Sequence, residues 1–410
     1  MLQIVGCEAM QYRTDPKSGN KLSILGFGCM RFPRSFGPID LAKSEELVVS
    51  AVKRGINYFD TAYVYGGSEK ILGIILHKNG LRDKIYLATK LPLGKCRKTG
   101  DFDALFDEQL NLLHTDYFDY YLIHNLSDTR LWQRLCAIGI EDWIKEKKAA
   151  GQIRQIGFSF HGAQDEFMAL LDLYDWDFCQ IQYNYINTNY QAGAAGLKRA
   201  AEKGLPVIIM EPLLGGALAN NLPPKALQIF KQADGAKSPA VKSPAEWALR
   251  WLWDQPEVTV VLSGMNAAPQ LEENLRVAEH AVPGMLTEEE KAVYGYVVKA
   301  FDESYKIPCT GCGYCMPCPH KVNIPACFTA YNISYTVGKI SGFTLYVTST
   351  GATDPEKNYA ASRCKQCGEC EKQCPQRIPI IQSLQKVKKR MEPFWYRLLI
   401  SVFTRMREKD

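Results

Sequence analysis

Between residues 24 and 281 the chain repeats one pattern eight times: a short, mostly apolar run, then a stretch whose apolar residues gather on one helical face. The runs Ile24–Cys29, Tyr58–Asp60, Ile85–Lys90, Tyr120–His124, Ile153–Ser159, Phe178–Tyr183, Val207–Glu211 and Val258–Ser263 read as strands. The stretches Lys43–Arg54, Ser68–His77, Phe102–Leu113, Glu141–Ala150, Gln164–Leu173, Gln191–Lys203, Pro244–Asp254 and Pro269–Ala281 read as helices. In the first of these, Leu47, Val48, Ala51 and Val52 share a face. Eight of each over about 260 residues is the arithmetic of a (β/α)8 barrel. Ahead of them, Met10–Arg13 and Lys21–Ile24 flank the turn-rich Asp15–Asn20 and read as a hairpin.

Barrels of this kind carry their chemistry where strands run into the following loops. Asp60, Lys90 and His124 each close a strand, and Tyr65 lies in the loop after Asp60, within Asp60-Thr-Ala-Tyr-Val-Tyr65-Gly66. Any one of these alone could be an ordinary strand-end polar residue. Together they supply what a carbonyl reduction needs besides hydride, which is a proton for the oxygen. A phenol with a pKa near 10 is a poor acid at neutral pH. An adjacent ammonium favours the phenolate and so makes the phenol a better acid. Lys90 can supply that charge, Asp60 can hold Lys90, and His124 can orient the carbonyl.

On these motifs the chain resembles the aldo-keto reductases over roughly residues 10–280. The resemblance implies that Tyr65 is the proton donor, supported by Asp60, Lys90 and His124, and that the hairpin closes the barrel bottom. It further implies a nicotinamide site at Ser159, Gln180, Ser263, Gly264, Gln270 and Asn274, where a helix N-terminus suits a phosphate. Three positions depart from the family pattern. Phe160 stands where many members have Asn, and Met210 where many have a ring that stacks on nicotinamide. Met265–Pro269 has no Lys or Arg to pair a 2′-phosphate, although charge-assisted contacts are the strong ones. NADP(H), a flavin in the same mouth, or another reductant all stand open on this reading. Near Tyr63, Cys96, His161, Tyr183 and Leu213 the loops offer a mixed polar and aromatic lining that names no substrate. His161 alone reads as a satisfied loop histidine.

Beyond residue 285 the composition changes. Leu286–Tyr305 reads as a linking helix capped at Thr287. Eight of the fourteen cysteines then fall into two runs. Cys364, Cys367, Cys370 and Cys374, followed by Pro375, have the spacing of bacterial ferredoxins, in which the fourth cysteine ligates the other cluster of a pair. Cys309, Cys312, Cys315 and Cys318, followed by Pro319, repeat the form with one residue fewer before the last cysteine. On the ferredoxin arrangement, Cys309, Cys312, Cys315 and Cys374 hold one [4Fe–4S] cluster, and Cys364, Cys367, Cys370 and Cys318 the other. The shortened spacing leaves the part of Cys318 open. Structural zinc more often takes two separated Cys-x2-Cys pairs. The roughly 45 residues between the runs read as mostly irregular, and Cys327 as packing.

The organisation expected is therefore an extension over 1–9, a reductase-like barrel over 10–285, a mainly helical ferredoxin-like domain over 286–385 and a basic, aromatic tail over 386–410. In the tail, Phe394–Phe403 is dense in apolar groups among Lys and Arg, which suits packing on its own domain, a docked partner or an anionic membrane surface. A net charge of +5 is too small and too evenly spread to imply nucleic acid. No 18-residue apolar segment spans a membrane. With no signal peptide at Met1–Met10, a reducing cytoplasm is the default. The sequence reads as an iron–sulfur oxidoreductase acting on a carbonyl or related small molecule, with a ferredoxin-like redox protein as partner. The competing reading is an electron-transfer or redox-sensing module whose barrel is a non-catalytic platform.

Overall fold

The computed structural model describes residues 10–35, 37–234, 242–350, 358–393 and 396. The 1–9 extension and nearly all of the tail beyond 393 lie outside the described residues. The chain divides into two compact units: Met1–Pro212 with Ala245–Leu286, and Leu213–Pro244 with Thr287–Asp410. The break at Leu286 falls where composition changes. The excursion 213–244, placed by sequence within the barrel range, instead clusters with the C-terminal unit.

In the first unit, β1 (Tyr12–Thr14) and β2 (Lys21–Ser23) form the antiparallel hairpin. Asp15 organises its turn, accepting hydrogen bonds from the Lys17 and Ser18 backbone N–H groups. Eight parallel strands then close into a barrel: β3 (Leu25–Gly28), β4 (Tyr58–Asp60), β5 (Tyr86–Pro92), β6 (Phe118–His124), β7 (Ile153–Phe160), β8 (Phe178–Gln182), β9 (Val207–Met210) and β10 (Val258–Ser263), with β10 pairing both β9 and β3. All eight expected strands are present, and the fold is the expected (β/α)8 barrel.

Strand alternation sorts the side chains into two cores. Tyr58, Ala88, Tyr120, Leu122, Phe178, Ile208, Val260 and Leu262 fill the interior, joined by Leu22 from the hairpin. Alternate residues such as Phe27, Phe59, Leu87, Tyr121, Ile123 and Phe158 face the helices. Two residues beyond the interior Tyr58, Ala88, Leu122 and Phe178 stand Asp60, Lys90, His124 and Gln180, so the strand period carries the polar residues inward at the mouth. Helix Ser68–Lys78 packs closely on Gly100–Leu113 through Gly73, where a Cβ would come within 2.1 Å of the Leu112 carbonyl oxygen.

The second unit is helical. Helix Glu288–Ser304 opens with a capping box between Thr287 and Glu290. It packs on Pro224–Asp234 through Phe230 and Tyr294, whose rings are 6.2 Å apart, and through a 3.0 Å Lys225–Glu303 ion pair. The segment between the cysteine runs is not mostly irregular: Ile324–Thr336 and Lys339–Ser349 are helices. Gly342 admits the Ser334 backbone at their crossing. Helix Ile380–Met391 completes a core that includes Cys327, Phe328, Tyr346, Leu384 and Val387.

Candidate active site and cysteine cavity

β4, β5 and β6 are neighbours in the barrel, so Asp60, Lys90 and His124 come together at one rim. Lys90 Nζ donates to both Asp60 carboxylate oxygens and to the Thr61 carbonyl oxygen, each at 2.7 Å. Lys90 and Asp60 are buried, and burial pushes the ammonium pKa down and the carboxyl pKa up. The two-point contact opposes both movements. Tyr65 follows a tight turn closed by its N–H on the Ala62 carbonyl. The next two residues, Gly66 and Gly67, take left-handed backbone angles (φ 49° and 89°) and lead into helix Ser68–Lys78. Lys90 Nζ lies 4.9 Å from the centroid of the Tyr65 ring, and Tyr65 meets His124 edge-on at 6.0 Å. Burial, then the Lys90 charge and His161, hold His124 well below the usual histidine range, so it is neutral at neutral pH.

A second buried layer supports Lys90. Glu69 accepts from Thr89 Oγ1 at 2.5 Å and from Gln109 Nε2 at 2.6 Å. The same Gln109 nitrogen reaches the Lys90 carbonyl, and Tyr121 donates to Gln109 Oε1. Replacing Lys90 with Met would leave the Asp60 carboxylate buried and uncompensated. The expected cost is about 3–5 kcal/mol of barrel stability, measured as a lowered thermal transition. Lys90→Met paired with Asp60→Asn should recover part of that loss.

The residues expected to hold a nicotinamide are dispersed among different duties. Ser159 Oγ accepts from the Asn125 N–H at 2.8 Å and fixes the loop after β6. Asn274 Nδ2 donates to Ser263 Oγ at 2.9 Å, and Gln270 Oε1 accepts from the Asn266 N–H at 2.9 Å, so these three shape the turn into helix Ala268–Glu279. Gln180 differs: its Oε1 is buried without a hydrogen-bond partner. An unsatisfied buried acceptor is costly, and a ligand amide would satisfy it. Gly264 lies under the side chain of Arg31, whose Cβ and Cδ stand 3.2 Å from where a Cβ on Gly264 would be. The stem of a basic side chain from the segment after β3 thus covers the start of this turn.

His161, read from the sequence as a satisfied loop histidine, stands at the rim and has a side-chain partner. It follows β7 on the same phase as Ser159, is 7 % exposed, and its Nδ1 lies 3.1 Å from Gln191 Oε1. The Phe160 side chain faces the outer core against Phe167, so the substitution there does not itself enter the mouth. The signal available in sequence was position: a polar residue closing the strand beside the one His124 closes.

In the second unit, one cavity is lined by Cys309, Cys312 and Cys315 of the first run and by Cys374 of the second. Ile324, Phe328, Ile378 and Ile380 supply apolar walls. The Cys315 thiol is pushed up to about 12, first by burial and then by the charges of Cys309, Cys312 and Cys374. Cys370 is pushed up to about 11 by burial and then by Cys364, with Cys318 also acting on it. The last cysteine of the second run therefore shares a cavity with the triplet of the first. The first run is braced by the turn Leu214–Gly216: a Cβ on Gly215 (φ 65°) would fall 2.0 Å from the Thr310 carbonyl oxygen.

A closed parallel barrel with an acid–base group at its strand ends, followed by two cysteine quartets, defines an oxidoreductase with an iron–sulfur domain. Residues 24–290 match the aldo/keto reductase family and residues 308–378 match the 4Fe-4S dicluster domain, and the chain belongs to the aldo/keto reductase family. It is 29% identical to L-galactose dehydrogenase of Arabidopsis thaliana, across 65% of this chain and 87% of that protein. It is 28% identical to the aldo-keto reductase YhdN of Bacillus subtilis, across 64% and 87%. Among solved structures, the holo form of aldo-keto reductase AKR11C1 from Bacillus halodurans is similar at a TM-score of 0.57 and 25% identity, covering 71% of this chain and 97% of that one.

Proposed function

We propose that the barrel reduces the carbonyl group of a small molecule, with Tyr65 as the proton donor. The observation that carries this is the Lys90 ammonium, fixed by both Asp60 oxygens and held 4.9 Å from the Tyr65 ring. Lys90 lowers the cost of leaving Tyr65 as phenolate once its proton has moved to the substrate oxygen. Asp60 holds that charge in place, and the neutral His124 orients the carbonyl against the phenol. A nicotinamide bound at this mouth would supply hydride chemistry at the carbonyl carbon. Gln180 would meet its carboxamide, and Ser263, Gly264 and the start of helix Ala268–Glu279, with Arg31, would receive its phosphates. The orphaned Gln180 Oε1 supports that fit.

In the second unit, Cys309, Cys312, Cys315 and Cys374 would hold one [4Fe–4S] cluster and Cys364, Cys367, Cys370 and Cys318 the other. Their role is to carry single electrons from a small redox protein in the cytoplasm. Hydride chemistry moves electrons in pairs and such clusters move them singly, so exchange between the two chemistries calls for a converter such as a flavin, or for a substrate that accepts single electrons. The test is anaerobic purification with iron, sulfide, zinc and flavin quantitation, followed by NADPH oxidation against a panel of aldehydes and ketones. About eight irons per chain with carbonyl-dependent NADPH oxidation is the expected result. Zinc in place of iron would remove the electron-transfer role, and absence of any carbonyl turnover would remove the reductase.

A further inference from the structure

Helices Ile324–Thr336 and Lys339–Ser349 meet in a tight turn, closed by the Val337 and Gly338 N–H groups on the Ile333 carbonyl oxygen at 2.9 and 3.0 Å. The turn presents Ile340 at 83 % exposed, Val337 at 59 % and Tyr335 at 38 %. Large apolar groups left so exposed in one place mark an interaction site. Cations surround them. The Arg390 guanidinium lies 3.8 Å from the Tyr335 ring centroid and donates to the Ser334 hydroxyl and carbonyl oxygens at 2.6 and 3.0 Å. Lys306 Nζ lies 5.7 Å from the same ring. Lys339 in the turn is exposed, as are Lys386 and Lys389 on helix Ile380–Met391, whose last turn holds Arg390. Acids are missing: residues 304–353 and 372–391 contain neither Asp nor Glu. Glu392, which follows, is buried and accepts from the Tyr346 hydroxyl and the Ser362 N–H.

We propose that this turn is a membrane contact: Val337 and Ile340 enter the interface of an anionic phospholipid bilayer, and Lys306, Lys339 and the end of helix Ile380–Met391 meet its phosphates. Apolar side chains ringed by Lys and Arg bind such a surface through buried apolar area and through attraction to anionic lipid. Tyr335 has the ring and hydroxyl that suit headgroup level. A small acidic redox protein would meet the same charges, but the position argues against it. The cysteine cavity is lined by Ile324, Pro325 and Ile380, at the opposite ends of these helices. The 13 residues of helix Ile324–Thr336 put about 20 Å between that cavity and the turn. Electron transfer falls off steeply with distance, so a carrier seated at the turn would be poorly placed to serve the clusters, whereas an anchor needs no such proximity. The chain also continues from this side. The Tyr396 ring packs 5.8 Å from that of Phe343, one turn along from Ile340, and residues 397–407 add three arginines and no acid.

The test is flotation of the full chain, purified anaerobically, with vesicles of phosphatidylglycerol and phosphatidylcholine in equal parts, against vesicles of phosphatidylcholine alone. Partitioning should be about 30-fold stronger onto the anionic vesicles, the effect of two basic side chains at the surface, and should fall steeply with added salt. Ile340→Ser should weaken it about 10-fold and Lys339→Gln about 5-fold. Iron content should not change in either variant, because both side chains are exposed. A second measurement needs no variant: peptides spanning residues 333–345 should exchange their amide hydrogens more slowly on anionic vesicles than on phosphatidylcholine. Equal partitioning onto both vesicles, no slowing of exchange, or anionic binding that both variants leave unmoved, as contact through residues 397–410 alone would give, overturns the inference. So does a chain that ignores vesicles and instead binds a small acidic ferredoxin, or a second copy of itself, in a manner lost with Ile340→Ser.

Discussion

Tyr65→Phe is expected to lower kcat for carbonyl reduction by about 10³-fold, equivalent to about 4 kcal/mol of transition-state stabilisation. The change deletes the proton and keeps the ring, so the edge contact with His124 and the position over Lys90 can persist. KM for the carbonyl should therefore move far less than kcat, the pattern of an interaction made in the transition state. His124 cannot take over as the acid. Burial, then Lys90 and His161, hold it well below the usual histidine range, and a neutral imidazole is a weak donor. Acidifying the variant toward pH 6 should therefore rescue nothing. Steady-state kinetics on both proteins check this, and a variant retaining a tenth of the turnover would sink the assignment of Tyr65.

Loss of one cluster should follow from changing a cysteine of the opposite run. Cys374→Ala is expected to remove the cluster of the first triplet, taking iron from about eight to about four per chain. The remaining electron paramagnetic resonance signal should match that of Cys309→Ala. Cys318→Ala should match Cys364→Ala in the same way. The basis is the cavity that Cys374 shares with Cys309, Cys312 and Cys315, and for Cys318 the crossed ligand pattern of two-cluster ferredoxins. If Cys374→Ala instead reproduces the spectrum of Cys364→Ala, each run holds its own cluster and the crossed assignment fails.

The barrel was legible because its strands are apolar runs ended by polar residues, and each end falls where strand alternation turns inward. Asp60, Lys90 and His124 were legible at the rim for the same reason, and Tyr65 through its place in the loop that follows Asp60. Other features carry no such periodicity. Helix Ile324–Thr336 buries Asn332 and Thr336 as well as Ile324, Cys327, Phe328, Ala330, Tyr331 and Ser334, so its buried positions run more than halfway round and no narrow apolar stripe stands out from its Thr, Ser and Asn residues. His161 was read as a satisfied loop histidine, but its partner Gln191 lies thirty residues later and no local pattern names it. The membership of 213–244 in the second unit turns on long-range pairs such as Phe230 with Tyr294, and on a backbone approach of Gly215 to Thr310. A glycine in a local window does not announce its distant neighbour. The stem of Arg31, which packs against Gly264 ahead of the turn Met265–Pro269, comes from the other end of the barrel sequence and so was not visible in a local window.

The excursion over 213–244 also sets a timetable for the newborn chain. Helix Pro224–Asp234 leaves the ribosome ahead of the last barrel strand, whereas Tyr294, which meets Phe230, follows about 60 residues later. At ordinary elongation rates Phe230 waits roughly 3–12 s for that ring. Nor can the gene be divided by one cut. A message stopped after Leu286 would encode all eight barrel strands together with a helix whose partner is never made, so a soluble minimal barrel calls for a short linker from Pro212 to Ala245 as well as a new stop codon.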